Sequence, residues 1–149
     1  MIEIREIDPS EHAAGITALG MSSVEELRVF SDLMSPNPSL PQYEALHKNG
    51  LMLTLGAFDG DKIVGFSINI ISVAMHYAGT NLAQVDFIYL HKDYRSGRNG
   101  LKLIRATEDA ARARGANILV FGAKEGTSLI SLLPKLGYTI SEVAFCKEL

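Results

Sequence analysis

The stretch from Asp86 to Ile104 (D-F-I-Y-L-H-K-D-Y-R-S-G-R-N-G-L-K-L-I) holds the residues best suited to chemistry, and they are of two kinds. The first could hold an anion. Arg95, Arg98 and Lys102 bring positive charge to a turn that contains Gly97 and Gly100 and opens into an amphipathic helix near Leu101. The first N–H groups of a helix lack intrahelical partners, and the helix dipole adds partial positive charge there. Glycine allows close approach, so the amides of Ser96, Gly97, Arg98, Asn99, Gly100 and Leu101 suit a phosphate. Neither G-x-x-x-x-G-K-[ST] nor G-x-G-x-x-G occurs. The second kind is a carboxylate. Asp86 lies in the otherwise apolar strand Val85 to Leu90, where burial would raise its pKa toward that of a general base. Tyr89 and His91 are alternative bases, and strand alternation puts Tyr89 on the face opposite Asp86. The plain structural alternatives are a solvated basic loop and a strand-end carboxylate bonded to a loop.

Such a turn needs a strand before it and a packed helix after it, and the pattern supplies both. Leu101, Leu103, Ile104, Thr107, Ala110 and Ala111 form an apolar helix face, opposite Lys102, Arg105, Asp109 and Arg112. Arg105–Asp109 and Glu108–Arg112 are spaced as i,i+4 ion pairs, and Gly115 suits the helix end. Upstream, Ile2, Ile4 and Ile7 suggest a first strand ended by Asp8-Pro9. One helix is expected from Asp8 or Ser10 to about Leu19, and another from Ser22 or Ser23 to about Met34. Pro36 to Pro41 reads as a loop and Gln42 to Lys48 as a short helix. Asp59-Gly60-Asp61 joins strands Leu51–Phe58 and Lys62–His76 in a hairpin, and Ala78 to Asn81 turns into the strand that ends at Leu90. A strand at Asn117–Gly122, a helix opened by Lys124 to Ser128, and a terminal strand pattern containing Cys146 complete a single α/β domain over residues 1–149.

Composition bounds the function classes. The 149 residues are 47% hydrophobic and 21% charged, as in a globular domain. No apolar run approaches the roughly 18 residues of a membrane span, and the N-terminus M-I-E-I-R-E-I-D is a strand pattern, not a signal peptide. One cysteine excludes an internal disulfide framework, so a cytoplasmic location and a buried thiol are expected. His12, His47 and His76 lack the spacing of metal ligands. The net charge of −3 argues against nucleic acid as the partner.

The turn resembles motif A of the GCN5-related N-acetyltransferases, in which a strand leads to Q/R-x-x-G-x-G/A and a helix. Arg95 matches the first position and Gly100 the last. Arg98 replaces the middle glycine and Gly97 stands one residue early; this variant also looks like small phage-encoded members. The likeness continues to K-L-G-Y (Lys135 to Tyr138), similar to the family's K-L-G-F. The resemblance implies a mixed, mostly antiparallel sheet flanked by helices, with acetyl-CoA as cofactor. The amides of the turn would hold the pyrophosphate, and the backbone of Ile88, Tyr89 and Leu90 would pair with the pantetheine arm. It implies an amine acceptor, a small molecule or a protein, and Asp86 as base; a homodimer is compatible with it. One departure concerns the acid: Leu133 stands where many members carry a tyrosine, while Tyr138 falls where they carry a packed aromatic. Two rivals to an enzyme are an acyl-CoA sensor without turnover and a nucleic-acid phosphate binder. The acceptor would be shaped by Gly20–Gly50 and Tyr138–Leu149, where Glu25, Glu26, Asp32 and Glu44 face Arg28 and Lys48 in number.

Overall fold

The computed structural model describes residues 1–27 and 36–149. Strand β1 (Glu3–Glu6) is followed by helices α1 (Ala13–Leu27) and α2 (Leu40–Lys48). Strands β2 (Met52–Asp59), β3 (Lys62–Val73) and β4 (Asn81–Leu90) come next, then helix α3 (Asn99–Ala113), strand β5 (Ile118–Phe121) and helix α4 (Ser128–Lys135). The strands form one sheet in sequence order, with β1 to β4 antiparallel and β5 parallel to β4. This is the mixed, mostly antiparallel sheet expected from the sequence. Among the described residues no helix is long and apolar enough to cross a membrane.

Both faces of the sheet are covered, which is why β2 is apolar at nearly every position rather than at alternate ones. Met52, Phe58, Phe66, Ile68 and Tyr89 pack with Ile16 and Leu19 of α1. Leu53, Leu55 and Ala83 pack with Leu103 and Ala111 of α3 on the other side. Burying a side chain of this size stabilises by roughly 1.5–3 kcal/mol, so the strands and the two helices hold one another.

One residue interrupts the ladder between β3 and β4. Ile68 lies opposite Phe87 and Asn69 opposite Val85, so Asp86 has no partner and forms a β-bulge. The extra residue resets the alternation. Ala83 before the bulge and Ile88 after it both face α3, and Phe87 and Tyr89 face α1. The simple alternation that opposed Tyr89 to Asp86 therefore fails, because it assumed an unbroken strand.

Other boundaries moved for physical reasons. The helix predicted to end near Leu19 continues through Gly20 to Leu27, since Gly20 packs closely on Pro36 and Phe87 and needs no break. Ser22 lies inside that helix and returns its hydroxyl to the Ala18 carbonyl instead of capping a new one. The rest of the second predicted helix, to Met34, lies outside the described residues. Pro41 sits in the first turn of α2, where its missing N–H costs nothing. Arg112 pairs with Asp109 at 2.8 Å rather than with Glu108, which takes the Tyr138 hydroxyl at 2.8 Å. Residues 138–149 contain no strand, and Cys146 is exposed rather than buried.

Candidate active site

The site begins where two parallel strands part. Strand β5 accompanies β4 from Leu82, opposite Ile118, to Val85, opposite Phe121, and goes no further. From Phe87 to Leu90, β4 is paired with β3 alone. The His91 N–H donates to the Val64 carbonyl at 2.8 Å, so by the alternation of an antiparallel ladder Tyr89 also turns its backbone toward β3. Ile88 and Leu90 must then face the open edge. The Leu90 carbonyl is taken by Arg95 Nε at 2.8 Å. The N–H and C=O of Ile88 and the N–H of Leu90 are left for an extended ligand lying like an added strand. Of the three backbones expected to pair with a cofactor arm, Tyr89 is thus already engaged.

The open edge leads into the turn. A 3-10 turn at Lys92–Tyr94 ends with the Arg95 N–H on the Lys92 carbonyl at 3.2 Å. The next amide with a protein acceptor is Lys102, on Arg98 O at 2.8 Å. Among the described residues, no amide from Ser96 to Leu101 donates to a protein group, and no side chain caps α3. Gly97 has φ +69°, so this conformation falls one residue before the place where the motif's middle glycine would stand. Nothing lies within 4 Å of where a Cβ on Gly100 would sit, so the protein itself leaves room there.

The three cations of the turn separate. Arg98 is exposed and, among the described residues, its side chain makes no hydrogen bond or ion pair. Lys102 reaches back to the Ile2 carbonyl at 2.6 Å, tying α3 to the start of the chain. Arg95 donates from one terminal nitrogen to both oxygens of Glu26, at 3.0 and 2.9 Å, and lies 5.3 Å from the Tyr89 ring. Glu26 also accepts the buried Tyr89 hydroxyl at 2.7 Å. Burial and the Glu26 carboxylate push the Tyr89 phenol up to about 12. Burial alone would raise Glu26, but the bonds from Tyr89 and Arg95 and the charges of Arg95 and Lys92 hold it below its ordinary value. Sequence reasoning gave Glu26 no such place, because nothing local links residues 26 and 95.

Asp86 is exposed, not buried in the strand as the sequence led one to expect. It sits at the bulge, where the β4–β5 pairing stops. Beside it, an open cavity of about 170 Å³ lies between α1, Pro36–Pro38, Tyr43 and Phe87, with Ile16, Thr17 and Gly20 in its wall. Burial and then the charge of Asp86 raise the Tyr43 pKa, which places Asp86 within electrostatic reach of that cavity. Asp86 therefore stands between two openings: an apolar cavity on the α1 side and a bare strand edge on the β5 side.

Residues 18–138 match the Acetyltransferase (GNAT) family. The chain belongs to that family. No curated protein matches its sequence. Its fold is shared by an acetyltransferase of Trypanosoma brucei, at 16% identity and a TM-score of 0.75 over 100% of both chains. An aminoglycoside acetyltransferase from an uncultured soil metagenomic sample is 18% identical, with a TM-score of 0.78 over 100% of this chain and 99% of that one. A ribosomal-protein-alanine N-acetyltransferase of Brucella melitensis is 22% identical, with a TM-score of 0.74 over the same shares.

Against this GNAT background, the departure at the last helix has a structural reason. Leu133 is the buried residue of α4 and anchors it, so the position is spent on packing. Tyr138 packs edge-on against Phe121 at 5.8 Å, and burial together with Glu108 raises its pKa. His91 accepts the Asp93 N–H at 3.4 Å and caps the 3-10 turn. Lys124 is exposed at the loop before α4.

Proposed function

We propose that this GNAT-family protein moves an acetyl group from acetyl-CoA directly to a primary amine. The observation that carries the reading is two neighbouring sets of backbone groups without partners among the described residues, one on Ile88 and Leu90 and the other at the amides of Ser96–Leu101. A pantetheine arm carries amides that would satisfy the first part, and a pyrophosphate would satisfy the second. Arg98 is the cation best placed to add paired hydrogen bonds to a phosphate, since Arg95 and Lys102 are engaged elsewhere.

Three tasks remain for the chemistry: polarise the thioester carbonyl, take a proton from the ammonium, and release the thiolate. An N–H of the open strand edge beyond the bulge, on Ile88 or Leu90, would serve the first. Asp86 serves the second, directly or through water, because it separates the acceptor cavity from the splayed edge. The third needs no protein acid, as a thiol of pKa about 8.5 leaves readily near neutral pH. Acceptors would enter past Tyr43 and Phe87 into a mainly apolar cavity. We place the reaction in the cytoplasm, where the single thiol, Cys146, would stay reduced.

Thiol release from acetyl-CoA with a panel of amines tests this reading, together with the thermal shift caused by CoA. Binding should stabilise the fold by roughly 2.7 kcal/mol at about 100 times the dissociation constant. No shift at millimolar CoA would sink the cofactor assignment. Stabilisation without thiol release would favour the second reading, an acyl-CoA sensor, for which the packed Leu133 in place of a tyrosine speaks.

A further inference from the structure

We propose that Glu26 is a positioning residue of the cofactor turn: it holds Arg95 against the end of β4 and so keeps that side chain out of the open amides. This rests on the reading that the turn binds CoA. Arg95 occupies the first place of the turn and could in principle aim at a phosphate. Instead its Nε caps the Leu90 carbonyl at 2.8 Å and a terminal nitrogen straddles both Glu26 oxygens, at 3.0 and 2.9 Å. Glu26 is itself fixed by the Tyr89 hydroxyl at 2.7 Å, and that hydroxyl, on a ring only 7% exposed, needs an acceptor. One carboxylate on α1 thus joins the strand end to the turn that follows it.

The arrangement contributes more to geometry than to stability. The side chains of Arg95 and Glu26 remain 46% and 34% exposed, and ion pairs so open to water stabilise a fold little. What the contact does fix is the direction in which the chain leaves β4, and with it the alignment between the strand edge and the amides of Ser96–Leu101. Glu26 also lies on the helix whose Ile16, Thr17 and Gly20 line the acceptor cavity, so the same contact relates the two halves of the site.

CoA binding by the full-length protein, measured by calorimetry at neutral pH, tests the proposal with the variants E26Q, R95Q, R95K and E26Q/R95Q. The glutamine of E26Q still offers Tyr89 an oxygen, so the fold should persist. We expect E26Q to weaken CoA by about tenfold, the scale of one lost charge-assisted hydrogen bond, and to raise KM for acetyl-CoA with little change in kcat. R95Q should do the same, and the double variant should be no worse than either alone, because both break one unit. R95K should match R95Q, since a lysine cannot bridge Leu90 and Glu26 together. Tighter CoA binding in E26Q, from an Arg95 released to the phosphates, would overturn the proposal. So would additive losses, wild-type affinity in R95K, or a lowered Tm with unchanged affinity. If the wild-type protein bound no CoA, the cofactor reading would fall and take the proposal with it; unchanged E26Q in a CoA-binding protein would remove the proposal alone.

Discussion

The two halves of β4 are the same strand under different conditions. From Leu82 to Val85 it is paired on both sides, and its buried residues Ala83 and Val85 are packing residues. From Phe87 to Leu90 it has lost β5 and keeps backbone groups without partners among the described residues. Between them stands the one residue with no cross-strand partner, Asp86. The difference teaches that the first half stores stability and the second offers interaction. A sheet neighbour removed over a few residues makes a binding edge without any special side chain, because unpaired backbone seeks a partner from whatever ligand fits.

The largest expected effect falls on the junction. Asp86→Asn is nearly isosteric and sits at an exposed bulge, so melting temperature and CoA affinity should stay close to wild type. The acetylation rate should fall on the order of 10²–10⁴-fold, with the rise of the pH–rate profile shifted or flattened. Normal turnover in this variant would move the base elsewhere, to ordered water or an amine arriving neutral.

A reciprocal pair of substitutions separates the two halves. A Cβ at Gly100 would have no other described side chain within 4 Å, so Gly100→Val should leave the melting temperature nearly unchanged while weakening CoA by roughly 10- to 100-fold through the space it takes from the ligand. Ala83→Leu overpacks a fully buried site and should cost roughly 1–3 kcal/mol of stability, with CoA affinity of the folded protein unaltered. If each variant moved both quantities, the division of β4 into a structural and a binding half would be wrong.

Smaller effects sharpen the same picture. Arg98→Gly restores the family glycine but removes the cation of the turn that has no partner among the described residues; CoA binding should weaken a few-fold and depend less on salt. Equal or tighter binding at low ionic strength would mean that Arg98 is only tolerated. A separate effect falls on alkaline stability. Tyr89 has its pKa raised from 10 to about 12 in the folded state, chiefly by burial and also by Glu26. The folded state favours the protonated phenol, so this stabilisation is complete below pH 10 and is lost as pH rises through about 12. Melting curves across that window should flatten in Tyr89→Phe, while Tyr138, raised by burial and Glu108, retains a share of the alkaline limb.

Much of the sheet was legible because Asp59-Gly60-Asp61 marks a hairpin between two strand-forming runs, and β2, buried at all but its last position, is apolar at nearly every residue. The turn was legible too as a strand-to-helix junction, since its glycines and cations stand directly before the apolar face of an amphipathic helix. The Asp86 bulge was not. A bulge shifts the pairing by one residue while leaving composition unchanged, so alternation gave Tyr89 the wrong face. Nor could charge alone say which of Arg95, Arg98 and Lys102 would remain available.

By itself the sequence determined the order of elements from α2 to α4, the glycine-bearing basic turn at the head of α3, and the carboxylate in β4. These are local matters of periodicity, conformational freedom and charge. Tertiary structure decided where β5 stops accompanying β4, which backbone groups therefore lack partners, and that Glu26 and Ile2 claim Arg95 and Lys102. Those outcomes depend on contacts between residues far apart in the chain, and no local pattern encodes which distant atom will satisfy a given donor.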